Sequence, residues 1–310
     1  MSPFFVPLTL ARCDNRTVVA QDRAEIAHLV AWLEAGNQAQ GLYAVAFDFF
    51  VDWSNNRFQR VAWLKRATAL RLAEVGPETA EFQVARALQQ DPAFNRLAEF
   101  CQANALGLSA MVFDDQQDWS SDVSWLIQAW PTGSASSPSI AAAALSLPAL
   151  KMEIQQLSGG PIKMGFKRLD YGTSRLECAL SISDAVWPGD VDLILADTAS
   201  NVPIAIIELK KHTGRSQIRF DDQKLSNYYP GRDSPKYNRL SLLASQLSSN
   251  RIPIIVIYYS TNRFEDYLIL ELVEGAFGNL KGSARMNLAI QGRAPAALAD
   301  AVMQAISSMI

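Results

Sequence analysis

The chain has 310 residues, a length that allows one large domain or two ordinary ones with a sizeable core. Hydrophobic residues make up 49% and charged residues 19%, which excludes a disordered or highly charged protein. The purely aliphatic runs are far shorter than the roughly 18 residues that a membrane span needs. The net charge of −3 gives no reason to exclude any soluble class. We therefore expect a globular protein that does not cross a membrane.

The chain start and the cysteines predict the compartment. The first residues have no basic segment and two prolines interrupt their only apolar run, so a secretory signal is not expected. Cys13, Cys101 and Cys178 are odd in number and widely spaced, which argues against a disulfide framework and against a CxxC zinc site. These features predict a cytoplasmic protein.

The charge is unevenly distributed along the chain. Residues 1–131 carry ten basic and fifteen acidic side chains, whereas residues 140–310 carry eighteen and sixteen. Within the second part, residues 210–239 hold eight basic and three acidic side chains. This local excess of positive charge leaves an anionic polymer open as a substrate, although the overall isoelectric point is near 5.5.

A short segment of small, uncharged residues predicts a domain boundary. Residues 132–139 contain Gly133, Pro138 and several serines but no charged residue, as in a linker or an exposed loop. We therefore predict a smaller α/β N-terminal domain over 1–131 and a second domain over 140–310. The role of the first would be to select a partner or a substrate.

The first part of the chain predicts a small α/β unit. Apolar periodicity, proline positions and capping residues indicate its elements. They are a helix over 22–35, a strand over 42–51, a helix over 57–74, helices opening at Pro77 and Pro92, a strand over 108–113 and a helix or strand over 123–130.

The second part predicts a mixed sheet flanked by helices, because several strands precede a helix and a further strand. Its expected elements are a helix over 140–157, a hairpin over 163–169 and 175–183, strands over 190–196 and 203–210, a helical stretch over 221–229, a helix over 237–248, strands over 252–259 and 266–273, and a helix over 295–306.

The hairpin formed by 190–196 and 203–210 carries the candidate chemistry. A turn centred near Ser200 places Asp192 opposite Glu208 and Asp190 opposite Lys210, with all four side chains on one face. Two opposed carboxylates cost roughly 1 kcal/mol unless a cation lies between them. Because the chain has only two histidines, we expect a hard ion such as Mg²⁺, with Mn²⁺ as a substitute.

This pattern resembles the PD-(D/E)XK, or restriction-endonuclease-like, nuclease superfamily over about residues 141–260. The matching motifs are Asp192-Leu-Ile-Leu and Ile-Ile-Glu208-Leu-Lys210, together with the order of elements around them. The resemblance implies a restriction-endonuclease-like fold and Mg²⁺-dependent cleavage of phosphodiester bonds. It also implies that Asp192, Glu208 and the Leu209 carbonyl bind the metal and that Lys210 lies at the nucleophilic water.

Some positions of the family pattern stay open. The proline precedes Asp190 by two residues and Asp192 by four, so either aspartate is a candidate metal ligand, and Asp192 is favoured because the apolar strand begins directly after it. For the glutamate that many members carry on the first core helix, Glu153 is the candidate and Glu177 the alternative. The Gln-x-x-x-Tyr motif of some exonuclease branches is absent.

The basic segment predicts contacts with nucleic acid, for which the sequence offers Lys211, His212, Lys224, Lys236 and Arg239. The resulting hypothesis is a Mg²⁺-dependent nuclease acting on DNA, with a possible protein partner for the N-terminal domain. The alternative is a catalytically silent module of the same fold that binds nucleic acid or a protein.

Overall fold

A computed structural model describes residues 4–19, 23–35, 41–134, 137–162, 169–213, 216–231, 233–290 and 292–310. These residues form a mixed α/β structure with a large mixed sheet flanked by helices, which confirms the predicted fold class at this level. None of the described helices is both long and apolar enough to span a bilayer.

The first half of the chain contains these elements: β1 (Phe5–Val6), β2 (Ala11–Arg12), α1 (Ala24–Ala35), β3 (Leu42–Asp52), β4 (Arg57–Thr68), α2 (Leu72–Val75), α3 (Pro77–Gln89), α4 (Pro92–Ala103), β5 (Gly107–Phe113), β6 (Trp125–Ser134), β7 (Ser137–Ser146) and α5 (Leu147–Ser158).

The second half continues with β8 (Tyr171–Gly172), α6 (Arg175–Leu180), β9 (Gly189–Asp197), β10 (Pro203–His212), α7 (Ser234–Gln246), β11 (Ile254–Ser260), β12 (Tyr267–Ala276), β13 (Asn279–Ala289) and α8 (Pro295–Met309). Two short 3-10 turns, Phe220–Asp222 and Leu225–Asn227, lie between β10 and α7.

The chain divides into two compact units, and each contains two separate stretches of sequence. Unit 1 comprises Met1–Ala20 and Phe47–Asp190, and unit 2 comprises Gln21–Ala46 and Val191–Ile310. The expected boundary at 132–139 therefore needs correction. Of its described residues, Thr132 pairs with Ser139 inside the β6–β7 hairpin, so backbone hydrogen bonding holds the segment in a sheet.

Unit 1 has its strands in the order β3-β4-β5-β6-β7. The β3–β4 pair is antiparallel, β4–β5 is parallel, and β5–β6 and β6–β7 are antiparallel. Helices α2, α3 and α4 connect the parallel pair, as such a crossover requires. A buried cluster that includes Phe50, Trp63, Leu126, Leu150 and Leu176 forms its core.

Unit 2 has its strands in the order β9-β10-β11-β12-β13. Here β9–β10 is antiparallel, β10–β11 is parallel with α7 in the crossover, and the two following pairs are antiparallel. The core combines strand residues such as Ile207 and Ile257 with apolar side chains of α8 and of α1. Unit 2 therefore needs a helix from residues 21–46, which the predicted domain of 140–310 leaves out.

Most elements appear near their predicted positions, but three regions differ. Residues 57–68 form the strand β4 instead of a helix, because this stretch pairs with β3 on one side and with β5 on the other. Residues 137–146 form the strand β7, and the helix α5 begins only at Leu147, where Pro148 occupies its first turn. The stretch 221–229 contains only 3-10 turns.

The region of the second predicted hairpin also differs. Residues 175–180 form the helix α6, which Ser174 caps by accepting a hydrogen bond from the Glu177 N–H. The other predicted strand, 163–169, lies outside the described residues except for its last position. The strand β13 was not predicted. Eight of its eleven residues are exposed, although Leu280, Ala284, Met286 and Leu288 lie at alternate positions as in a strand with one apolar face.

The cysteine prediction also needs correction. Cys13 and Cys178, both in unit 1, form a disulfide bond with their Cα atoms 5.4 Å apart. The fold brings together two residues that are 165 positions apart in sequence, and spacing alone gives no sign of this. Cys101 is a buried free thiol.

Leu29 tests the contribution of α1 to unit 2, because its side chain is 1% exposed in the unit 2 core. We expect Leu29→Ala to lower the free energy of unfolding by about 3 kcal/mol through lost apolar contacts and a residual cavity. The control is His28→Ala, which changes an exposed residue of the same helix and should have an effect below about 0.5 kcal/mol. Urea unfolding measures both, and equal effects would contradict the packing of α1 in this core.

Candidate catalytic site in unit 2

The β9–β10 hairpin brings Asp192 and Glu208 together. The ladder pairs Leu193 with Ile207, and one further step places Asp192 opposite Glu208. The Leu209 N–H donates a 2.7 Å hydrogen bond to Asp192 Oδ2, which fixes the aspartate on this strand end. Glu208 is 1% exposed. The predicted cross-strand pair of carboxylates is therefore present in the structure.

Lys210 lies beside this pair on the same face of β10, since side chains two apart in a strand point to one side. Its Nζ is 3.4 Å from Glu208 Oε1 and 2.6 Å from Asp233 Oδ2. The same ammonium group is 4.9 Å from the ring centre of Tyr228 and 5.4 Å from that of Tyr237. Lys210 is thus held by two carboxylates and two aromatic rings.

Lys236 occupies the space between the two carboxylates. Its Nζ is 2.8 Å from Glu208 Oε2 and 3.4 Å from Asp192 Oδ1. Its side chain is 27% exposed, so the ammonium group is reachable from solvent. The sequence predicts Lys236 as a contact to nucleic acid, whereas in the structure its ammonium group contacts Asp192 and Glu208.

The first turn of α7 delivers two members of the cluster. Asp233 is the residue before the helix, and Lys236 follows it by three positions, so both side chains lie on one side of the helix. Sequence reasoning missed Asp233. The signal was present as Asp233-Ser-Pro235, which is typical of a helix start, but the motif gives no indication that the carboxylate binds Lys210 instead of capping the helix.

Burial dominates the electrostatics of Glu208. Burial raises the pKa of Glu208 to about 8, the neighbouring Asp192 adds to the increase, and Lys236 and Lys210 oppose it. Among the described residues, only the ammonium groups of Lys236 and Lys210 approach the carboxyl oxygens of Glu208 as donors. Lys236 and Lys210 form full ion pairs with Glu208 only when its carboxyl group is deprotonated.

The donor set for a metal is small. Among the described residues, no group of three or more His, Cys, Asp and Glu side chains is placed to hold a metal ion. The available ligands are the carboxylates of Asp192 and Glu208 and the adjacent Leu209 carbonyl. This set fits Mg²⁺, which proteins commonly hold with one or two carboxylates while water and substrate phosphate complete the shell.

The other candidate metal ligands lie in unit 1. Glu153 is on α5, where its Oε1 accepts a 3.0 Å hydrogen bond from Gln128, and burial raises its pKa. Asp190 is exposed, and its charge acts on Asp48 and Lys65 of unit 1. Glu153 and Asp190 thus belong to unit 1, whereas Asp192 and Glu208 belong to unit 2.

The remaining predicted nucleic-acid contacts are scattered. Lys224 is exposed, and Lys211 lies on the face of β10 opposite to Glu208. His212 is 8% exposed and its Nε2 is 2.9 Å from the Ile218 carbonyl oxygen, so it is built into the fold. Arg239 Nε donates to the Pro235 carbonyl oxygen of its own helix. Of these residues, Lys224 is the most accessible to a polyanion.

Comparison with protein-family models, with curated proteins and with solved structures returned no match for this chain. The interpretation of the cluster therefore depends on its own geometry and on the chemistry of its side chains.

Glu208 predicts a pH-dependent stability for the metal-free protein. Its pKa is higher in the folded chain than its ordinary value of 4.5, so the folded chain keeps a proton that the unfolded chain releases. The free energy of unfolding should therefore fall as the pH rises from about 5 to 8. Glu208→Gln removes the charge and should reduce this fall, as thermal melting in EDTA at pH 5 and pH 8 would show.

Glu271 provides a matched control, because it is also a buried glutamate of unit 2. Its Oε2 accepts 2.7 Å hydrogen bonds from the Leu225 N–H and the Tyr258 O–H. Glu271→Gln weakens these charge-assisted bonds and should cost about 1–3 kcal/mol at pH 6. If Glu271→Gln, and not Glu208→Gln, reduced the loss of stability between pH 5 and pH 8, the assignment of this loss to Glu208 would be wrong.

Proposed function

We propose that unit 2 is a Mg²⁺-dependent nuclease of restriction-endonuclease-like fold, which hydrolyses phosphodiester bonds of DNA. The observation that carries the proposal is the convergence of Asp192 and Glu208 on one cation position beside Lys210. The PD-(D/E)XK pattern that this arrangement resembles implies an Asp and a Glu on two paired strands as metal ligands, with the Lys beside the attacking water.

The position between the carboxylates has the properties of a cation site. A positive group already contacts both acids there, at 2.8 and 3.4 Å. The group belongs to a flexible side chain that is partly exposed, so it can leave without a change in the fold. Glu208 Oε2 is then a buried oxygen without a donor among the described residues, and Oε1 keeps only Lys210 Nζ at 3.4 Å, so a divalent cation would compensate the buried charge.

Each residue of the cluster has a separate task in the proposal. Bound Mg²⁺ would polarise the phosphodiester and lower the pKa of a water molecule. Lys210 orients the attacking water or a phosphate oxygen, and Asp233, at 2.6 Å, keeps its ammonium group in place. Lys236, once released from the carboxylates, is available to pair with a substrate phosphate, as is the exposed Lys224.

Conservative substitutions test the nuclease. Asp192→Asn, Glu208→Gln and Lys210→Met should each lower Mg²⁺-dependent cleavage of labelled DNA by about 100-fold or more, because each removes a charge at the reacting centre. Lys281→Met changes an exposed lysine of β13 and serves as the control with unchanged cleavage. Circular dichroism should show that all four variants are folded. Full cleavage activity of the Glu208→Gln variant would refute the proposal.

A second candidate function follows from Lys236. An ammonium group that contacts both acids is also a way to make a cation unnecessary, and it favours a catalytically silent module that binds nucleic acid or a protein partner. In that case Asp192, Glu208 and Lys236 are a permanent ion-pair cluster. The two candidates differ in whether a divalent cation can replace the lysine.

Lys236→Met separates the two candidates by calorimetry with Mn²⁺. For a nuclease, the unmodified chain should bind one Mn²⁺, and the methionine variant should bind it more tightly because the competing charge is gone. For a silent module, only the variant should bind Mn²⁺. Asn238→Ala, on the same helix, is the control and should leave the affinity unchanged. If neither chain binds Mn²⁺, the position is not a cation site.

A further inference from the structure

The two units repeat one strand plan. In both, five strands follow each other in chain order, and the successive pairs are antiparallel, parallel, antiparallel and antiparallel. Helices make the crossover of the parallel pair, and a further helix follows the last strand, α5 in unit 1 and α8 in unit 2. Five strands can be connected in many other ways, so the shared plan points to duplication.

In each half of the chain, the helix that comes before the first hairpin in sequence packs in the core of the other unit. Helix α1 comes directly before the β3–β4 hairpin, but its apolar side chains belong to the core of unit 2. Helix α6 comes before the β9–β10 hairpin, but Leu176 and Leu180 belong to the core of unit 1. An exchange of equivalent elements between two copies produces this arrangement.

The parallel ladders match residue by residue. In unit 1 the β4–β5 ladder runs from Val61 to Ala67, and in unit 2 the β10–β11 ladder runs from Ile206 to His212, with the same number of pairs. The third position is Trp63 in unit 1 and Glu208 in unit 2. The fifth position is Lys65 in unit 1 and Lys210 in unit 2. The lysine of the candidate site therefore has an equivalent in unit 1.

The aspartate has an equivalent as well. Asp48 pairs directly with Trp63 in the antiparallel β3–β4 ladder. Asp192 lies in the same relation to Glu208. Unit 1 thus carries Asp, Trp and Lys at the places where unit 2 carries Asp, Glu and Lys.

Tryptophan at the third position cannot bind a metal, and the space around it is filled. Trp63 is fully buried, and its ring centre is 5.5 Å from that of Trp187. Trp187 Nε1 donates a 3.0 Å hydrogen bond to Asp48 Oδ2, and Lys65 Nζ lies 5.4 Å from the Trp187 ring centre. The aspartate is therefore occupied by an indole donor.

Glu177 of α6 completes this cluster. Lys65 Nζ is 3.5 Å from Glu177 Oε2, an oxygen that also accepts hydrogen bonds from the Thr173 N–H and Oγ1. Asp48, Glu177 and Asp190 together raise the pKa of Lys65, although its burial acts in the opposite direction. The lysine is thus a charged group that compensates the acids of unit 1.

We infer that unit 1 is a second copy of unit 2 in which Trp63 and an ion cluster around Lys65 have replaced the cation site, so that the chain carries a single metal-binding centre. The inference rests on the proposed function only for the activity of that centre. Its consequence for the reaction is that one chain cuts one strand of a duplex per binding event and leaves a nick as its first product.

A crystal structure of the full chain soaked with Mn²⁺, with anomalous scattering, tests the inference without any substitution. We expect one Mn²⁺ between Asp192 and Glu208 and none beside Asp48. An ion beside Asp48 overturns the inference. The same structure tests the duplication itself, because superposed parallel ladders should bring Asp48 and Lys65 onto Asp192 and Lys210, and a shift by one residue overturns it.

Restoring the acid is the second test. Trp63→Glu should bind one additional Mn²⁺ per chain in calorimetry, whereas Trp63→Gln, which has nearly the same side-chain size as the glutamate but no charge, should not. A folded glutamate variant without additional binding contradicts the equivalence of positions 63 and 208. If the buried substitution prevents folding, the superposition in the soaked crystal decides the question.

Cleavage of supercoiled plasmid, with the plasmid in excess over the protein, tests which product forms first. Nicked circles should accumulate before linear DNA, and linear DNA as the first product overturns the single centre. Cleavage should be lost in Glu208→Gln and retained in Asp48→Asn. Absence of cleavage by the unmodified chain with Mn²⁺ bound in unit 2 refutes the proposed nuclease but leaves the duplication, which the crystal tests separately.

Discussion

The buried carboxylate of Glu208 is the constraint on which the site of unit 2 depends. A charge in this position is costly in free energy unless positive groups surround it, and among the described residues only Lys210 and Lys236 approach its oxygens as donors. The strand β10 buries Glu208 because the residues before it are part of the apolar core. Lys210 and Lys236 then approach from the same strand and from the first turn of α7.

The sequence predicts the strand placement of Asp192, Glu208 and Lys210 correctly, because local rules apply there. The apolar runs around the turn at 197–201 fix the hairpin, and the period of two in a strand puts Glu208 and Lys210 on one face. The contacts of α7 depend on the length and path of the segment after β10. This segment contains irregular turns, so neither Asp233 nor Lys236 could be placed from the sequence.

The errors in the fold have a common cause. Residues 57–68 contain alanine, leucine and basic residues, and residues 137–146 contain four alanines and a leucine. These residues also suit helices, and only pairing with neighbouring strands makes the two stretches β4 and β7. The domain boundary failed for a related reason. Small uncharged residues suit a hairpin as well as a linker, and no local pattern reports that α1 packs in the core of a unit whose strands begin some 150 residues later in the chain.

The charges around Glu208 explain why two different groups can lie between Asp192 and Glu208: the Lys236 ammonium group or a divalent cation. Asp192, Glu208 and Asp233 supply three negative charges when ionised, and Lys210 supplies one positive charge. The remaining two negative charges match a divalent cation. Lys236 supplies only one positive charge, and the raised pKa of Glu208 means that a proton supplies the other near neutral pH. The Lys236 ammonium group together with a proton on Glu208 therefore supplies the same positive charge as a divalent metal ion. If a metal ion displaced Lys236 in such a site, Glu208 would have to release its proton.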